Sequence, residues 1–125
     1  MAQFGELLAE LRKDCNLSQK DLAKIIHVTS GTISNYENGV HLPDIEKLVE
    51  IATYFNVTTD YLLGRCSTRL SPDIWNRQIT PGQTAAELIE TLQTISPEQK
   101  HAIDIILKDM RLNSMLNSFR KKETT

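Results

Sequence analysis

Cysteine is scarce. Cys15 and Cys66 are the only two; they lie far apart, neither sits in a CxxC pair, and this argues against both a disulfide scaffold and a zinc site. Basic residues are not in excess either: 14 Lys and Arg stand against 16 Asp and Glu, for a net charge of −2. That balance excludes a nucleic-acid binder that relies on bulk positive charge. The N-terminal half is itself rich in acid, from Glu6, Glu10 and Asp14 through Asp21, Glu37, Asp44, Glu46 and Glu50 to Asp60. Any contact with nucleic acid must therefore rest on a local surface. No apolar run approaches the roughly 18 residues of a membrane span. The opening MAQFGELLAELRKD mixes acids among its leucines and lacks the basic-then-apolar order of a signal peptide, so a cytoplasmic protein is expected. No internal repeat or low-complexity tract stands out. No nucleophile with its base, no metal-ligand set and no phosphate-cradling loop is visible, so neither an enzyme nor a cofactor is expected.

What is present is helical periodicity. The chain of 125 residues is 40% hydrophobic, enough to bury a core. Phe4, Leu7, Leu8 and Leu11 recur at i, i+3, i+4, i+7, which predicts a first helix over about residues 3 to 14, ended by Asn16 in a left-handed conformation. Ser18 and Asp21 form a capping-box pattern for a second helix with Leu22, Ala23 and Ile26 inward. His27-Val28 breaks that run. Thr29 then caps a third helix, whose inner residues are Ile33 and Tyr36 and whose end is Asn38-Gly39. Pro43 and Asp44 open a fourth, with Leu48, Val49, Ala52 and Phe55 as its expected buried stripe, and Asn56 stops it. Thr58 caps a short fifth helix closed by Gly64, with Leu62 and Leu63 facing in. Strand alternation is absent from this half.

The second half begins differently. Residues 65 to about 82, RCSTRLSPDIWNRQITPG, carry two prolines and no helical stripe, and read as a linker or irregular segment. Trp75 within it either docks on the first domain or a partner chain, or is a partly exposed anchor with no further role. Thr84-Ala85-Ala86-Glu87 is a second capping box, leading into Leu88, Ile89, Leu92 and Ile95. Ser96-Pro97-Glu98-Gln99 is a third, followed by Ile103, Ile106, Leu107 and Met110 at i, i+3, i+4, i+7. The short join predicts an antiparallel helical hairpin. Its spare apolar residues, Ile105, Leu112, Met115, Leu116 and Phe119, should pack on a second copy or on the first domain. The expected organisation is an all-α chain: a five-helix domain over residues 1–65, a linker over 66–82, an oligomerisation hairpin over 83–119 and a disordered tail over 120–125.

Helix, short break, helix, with small Ala23 mid-way along the first partner and Val28 plugging the gap, fits a helix-turn-helix. The text from Phe4-Gly5 to Leu62-Leu63-Gly64 resembles the xenobiotic-response-element helix-turn-helix family of the Cro and phage-repressor type. The run LSQ..LA, the segment TISNYENG, the proline soon after it and the closing DYLLG match in order and spacing over the first half of the chain. The resemblance implies a lambda-repressor-like bundle of five helices that binds double-stranded operator DNA, usually as a dimer. One position departs from the pattern: His27 stands where the family usually has glycine, and histidine is among the residues enriched in left-handed conformations.

The third helix offers Ser30, Gly31, Thr32, Ser34 and Asn35 as candidate base contacts in the major groove. Asn35 can pair bidentately with adenine, Ser30 and Thr32 can bond to several bases, and Gly31 lets the backbone approach closely. Without arginine, the set leans towards A·T. Phosphate contacts are expected from Gln19 at the start of the second helix, with Lys20 adding charge near the backbone. Thr29 serves as cap and phosphate contact together. Asn38 joins these by resemblance, and by resemblance Arg12 pairs with Glu37 to fix the recognition helix. The expected function is a transcription regulator, a dimeric repressor more readily than an activator. The alternative is an antitoxin or antirepressor-controlled protein whose C-terminal hairpin binds a toxin, antirepressor or other protein. A self-cleaving protease domain like that of some larger repressors is not expected in the segment after the first domain.

Overall fold

Short-range signals set the helix ends. A computed structural model describes residues 2–123, with side chains from 3 to 122; Met1, Thr124 and Thr125 lie outside the described residues. In it α1 spans Ala2–Asp14, α2 Gln19–Ile25, α3 Ser30–Glu37, α4 Ile45–Tyr54 and α5 Thr59–Leu62. Ser18, Thr29, Asp44 and Thr58 each turn a side-chain oxygen onto the N–H three residues on. At Ser18 the box is complete, because the Asp21 carboxylate accepts from the Ser18 N–H at 2.9 Å. These bonds hold Asp21 below the usual carboxylate range. Asn16, His27 and Asn56 all take the left-handed conformation, with φ of 55°, 57° and 51°. His27 thus makes the turn expected of it.

The stripes meet in one core. Phe4, Leu8 and Leu11 of α1 join Leu22, Ile26, Ile33, Ile51, Val57 and Leu62, all at most 1% exposed. Val28 packs against this core, as the gap between α2 and α3 requires. Val49, expected inside, is half exposed. At about 100° per residue, Leu48, Ile51, Ala52 and Phe55 share one face of α4 and Val49 falls roughly 110° from its centre; Ile51 takes the buried place instead.

The described residues divide after Ile74 into two units. The second is predominantly helical as well, with a correction to the expected linker. Strand β1, Gln78–Thr80, pairs antiparallel with β2, Gln83–Thr84. Pro81-Gly82 makes the turn, with Gly82 at φ 85°, the Pro-then-Gly order of a type II turn. Helix α6, Ala85–Thr94, packs on this ribbon and is capped by the Thr84–Glu87 box. Helix α7 runs from Pro97 to Glu123, 27 residues, with Ser96 and Gln99 exchanging the bonds of the third box. Two further corrections follow. The antiparallel hairpin is not closed: apart from half-buried Ile103, every α7 residue whose side chain is described is exposed. Arg120, Lys121 and Lys122, expected in a disordered tail, belong to the last helical turns, where cations complement the carbonyl end of the helix dipole.

Candidate nucleic-acid interface

Helix α3 is held from behind and open in front. Ile33 and Tyr36 are its buried residues. Burial raises the Tyr36 phenol above its usual range. The opposite ridge, at i, i+3, i+4, i+7, is Gly31, Ser34, Asn35 and Asn38, all exposed or half-buried. Their side-chain bonding is local: Asn38 Nδ2 donates to Ser34 Oγ at 3.3 Å. The Asn35 carbonyl accepts from the Val40 and His41 N–H groups at 2.9 and 3.3 Å, which closes the helix end and leaves the side-chain amide outside that task. Thr32 and Ser30 flank the ridge. The Thr32 hydroxyl lies 2.9 Å from that of Thr29, and Thr29 Oγ1 also accepts the Thr32 N–H at 3.1 Å. Lys20 is exposed on α2.

Gly31 has space around it. A Cβ there would meet only Thr29 Oγ1, at 3.8 Å, and its φ is not positive. Neither packing nor backbone conformation requires glycine at that point. Gly5 is the opposite case: a Cβ on it would lie 2.2 Å from the Glu37 carbonyl oxygen and 2.7 Å from that of Tyr36. Here α1 and the end of α3 touch backbone to backbone, so glycine sets how deep α3 can sit.

The rear attachment of α3 is a carboxylate shared by two helices. Glu37 accepts from Arg12 Nε at 2.6 Å and Nη2 at 3.1 Å, a forked ion pair. Gln19 Nε2 donates to the same carboxylate at 2.8 Å. Arg12 Nη1 donates to the Leu17 carbonyl at 2.7 Å, so one guanidinium also ties down the loop after α1. The two charged side chains are only 11% and 7% exposed. Burial works against the Glu37 charge, but the hydrogen bonds from Arg12 and Gln19 outweigh it and hold the carboxylate below its usual range. Arg12 is correspondingly raised, chiefly by its bond to Glu37. Gln19 thus stands at the meeting of the α2 start and the α3 end.

A helix-turn-helix family profile matches residues 8–62, the segment with this geometry. Over these residues the chain is similar to the helix-turn-helix family. The HTH-type transcriptional regulator ImmR of Bacillus subtilis is 34% identical over 78 residues, 61% of this chain and 61% of that protein. The cryptic phage CTXphi transcriptional repressor RstR of Vibrio cholerae is 28% identical over 116 residues, 93% of this chain and 94% of that protein. A solved transcriptional regulator from Listeria innocua superposes with a TM-score of 0.50 at 27% identity, covering 88% of this chain and 94% of that one. The alignment thus spans 61% of the length of the Bacillus regulator and nearly all of the Vibrio repressor.

One residue of the helix-turn-helix domain escaped the sequence reading. Lys47, on α4, donates from Nζ to the Ile26 carbonyl at 2.8 Å while pairing with Glu50 at 3.1 Å. Ile26 is the C-cap of α2, one residue before the left-handed His27. The lysine therefore caps α2 from a distance and steadies the turn that aims α3. Among the described residues there is no group of three or more His, Cys, Asp or Glu placed to hold a metal ion, and no helix long and apolar enough to cross a membrane.

Proposed function

We propose that the chain is a sequence-specific transcription regulator that binds double-stranded DNA as a dimer, inserts α3 into the major groove and acts as a repressor. The observation that carries this reading is the outer ridge of α3. Its small polar side chains do no work in the core, while the ion pair, the Gly5 contact and the buried Ile33 and Tyr36 all hold the helix from the other side. A ridge of that kind suits the donor and acceptor edges of base pairs. Ser30, Gly31, Thr32, Ser34 and Asn35 would face bases. Gln19, Lys20, Thr29 and Asn38 would meet phosphates, and Arg12 with Glu37 would hold the helix in register. The likeness to a phage repressor over nearly the whole chain supports the repressor assignment.

The test is selection of duplexes from random DNA by the full chain, followed by anisotropy titrations at fixed salt. The selected sites should carry two half-sites about one helical turn, or a multiple of it, apart. Asn35→Ala should lose about 1–3 kcal/mol of affinity, roughly 10- to 100-fold, and relax preference at one base pair. Gly31→Ala should keep or slightly raise thermal stability, since alanine favours a helix over glycine by up to ~1 kcal/mol, and should weaken binding because its methyl stands where the backbone nears the groove. Failure to enrich any sequence, or both variants binding like the parent, would sink the proposal.

A further inference from the structure

We propose that Asn38-Gly39 is a self-modifying site: the Asn38 amide deamidates spontaneously, and the acid left at the end of α3 weakens DNA binding. The second clause rests on the DNA-binding reading above; the first does not. Asparagine is thermolabile, and its weakness is the backbone nitrogen that follows it. That nitrogen can close a five-membered ring on the side-chain amide when the next residue has no side chain in the way. Asn38 is the one asparagine in the sequence followed by glycine.

The structure puts this pair where the ring can form. Asn38 and Gly39 are both exposed, in the turn that follows Glu37, the last residue of α3. A Cβ on Gly39 would meet nothing within 4 Å, so no neighbour crowds the approach. Asn38 Nδ2 is held by Ser34 Oγ at 3.3 Å, and the Gly39 N–H by the Tyr36 carbonyl at 3.2 Å. Both are long bonds in a last turn, where helices fray. The other asparagines are hindered. Asn16 and Asn56 precede Leu17 and fully buried Val57, whose N–H groups donate to the Arg12 and Ala52 carbonyls at 3.1 and 3.0 Å. Asn35, Asn113 and Asn117 lie inside α3 and α7, where the helix ladder holds the next nitrogen. Asn76 precedes the bulky Arg77.

The chemistry needs only water. The Gly39 nitrogen gives up its proton and attacks Asn38 Cγ. Its bond to Cγ forms, the Cγ–Nδ2 bond breaks, and the amide nitrogen leaves as ammonia with the proton. Water then opens the resulting succinimide. Attack at Cγ restores the main chain and leaves aspartate; attack at the main-chain carbonyl leaves isoaspartate. One water is consumed, one ammonia is released, and nothing is oxidised or reduced.

Either product replaces a donor to phosphate by an anion. The new carboxylate stands at the carbonyl end of α3, where the helix dipole disfavours negative charge. It also lines an open cleft with Glu6, Glu10, Lys13, Asp14 and Glu37, so the acid there grows denser. Isoaspartate further adds a carbon to the main chain just ahead of Val40 and His41, whose N–H groups close the helix on the Asn35 carbonyl.

The experiment holds the full chain for days in warm neutral buffer. Peptide mapping by mass spectrometry follows each asparagine, and anisotropy on the selected duplex follows binding. Acid should appear at Asn38 before any other asparagine, and binding should fall in step. Asn38→Gln can close only a slower six-membered ring, so it should keep whatever affinity it starts with. Asn38→Asp, made directly and checked for folding by circular dichroism, should bind at least about fivefold more weakly per half-site, the effect of two like charges ~4 Å apart in water. Asn38 staying intact, or converting no sooner than the other asparagines, overturns the site. Converted chain or Asn38→Asp binding like the parent overturns the effect on DNA. A parent that binds no duplex at the outset overturns the DNA-binding reading and that effect with it, while the mass record still judges the chemistry.

Discussion

Glu37 concentrates the electrostatics of the domain at a single carboxylate. Two of the Arg12 nitrogens and the Gln19 amide bond to it, and both charged side chains are nearly enclosed. Exchanging the acid for an amide leaves the guanidinium without its counter-charge in a poorly hydrated place. Breaking such a buried pair costs about 3 kcal/mol or more, so Glu37→Gln should lower the unfolding free energy by roughly that amount, read by urea denaturation at pH 7. The pH dependence follows from the direction of the shift. Glu37 titrates lower in the folded chain than in the unfolded one, so between those two values the unfolded chain binds the extra proton. The contribution is complete above the ordinary glutamate range and disappears as pH falls through the depressed folded value. Parent stability should therefore drop on acidification below about pH 5, and Glu37→Gln should show a shallower drop. Parallel pH profiles for the two proteins would show that Glu37 is not the group responsible.

At the scale of elements, helix ends were legible in the sequence, and helix partners less so. Ser18, Thr29, Thr58, Thr84 and Ser96 all cap as expected, and Asp44, expected with Pro43 at the opening of α4, is its cap, because a cap is a contact over three residues and the chain itself brings its parts together. Asn16, His27 and Asn56 were readable for the same reason. The ribbon at Gln78–Thr84 carried a turn signal in Pro81-Gly82, but strands this short show no alternation to read. The join at Ile95-Ser96 suggested a hairpin that does not close, since a short connection permits antiparallel packing without supplying the complementary faces. On the candidate interface, the outer ridge of α3 was legible from periodicity. The reach of Gln19 to Glu37, 18 residues away, and of Lys47 to the Ile26 carbonyl, 21 away, was not, because nothing local encodes it. Lys47→Met tests that last link. The variant should lose about 1–2 kcal/mol, the worth of a charge-assisted bond to a partly buried carbonyl. It should also show faster amide exchange at Val28 relative to α1. Unchanged exchange there would reduce Lys47 to a partner of Glu50.

The whole molecule has little positive charge to spend on DNA. Of the proposed contacts, Lys20 alone is cationic, so a dimer would bring about two charged phosphate contacts. The logarithm of the association constant should then fall against the logarithm of salt with a slope near −2, using about −0.9 per contact. A slope near −6 would mean that cations elsewhere, such as the basic end of α7, also reach the duplex. With so small a non-specific term, the proposed dimer would draw its discrimination from the bases themselves and from linking two half-sites.

The outer ridge of α3 also bears on how such a protein can change. No side chain of Gly31, Ser34 or Asn35 reaches beyond its own helix end, where Asn38 bonds to Ser34: the cap is Thr29, the anchor is Glu37 and the packing is Ile33 and Tyr36. Under the proposed reading, the DNA address would be written on side chains that the core does not consult. Lineages would then drift to new operators without passing through unstable intermediates, and two chains with the same core would become mutually deaf on the same genome.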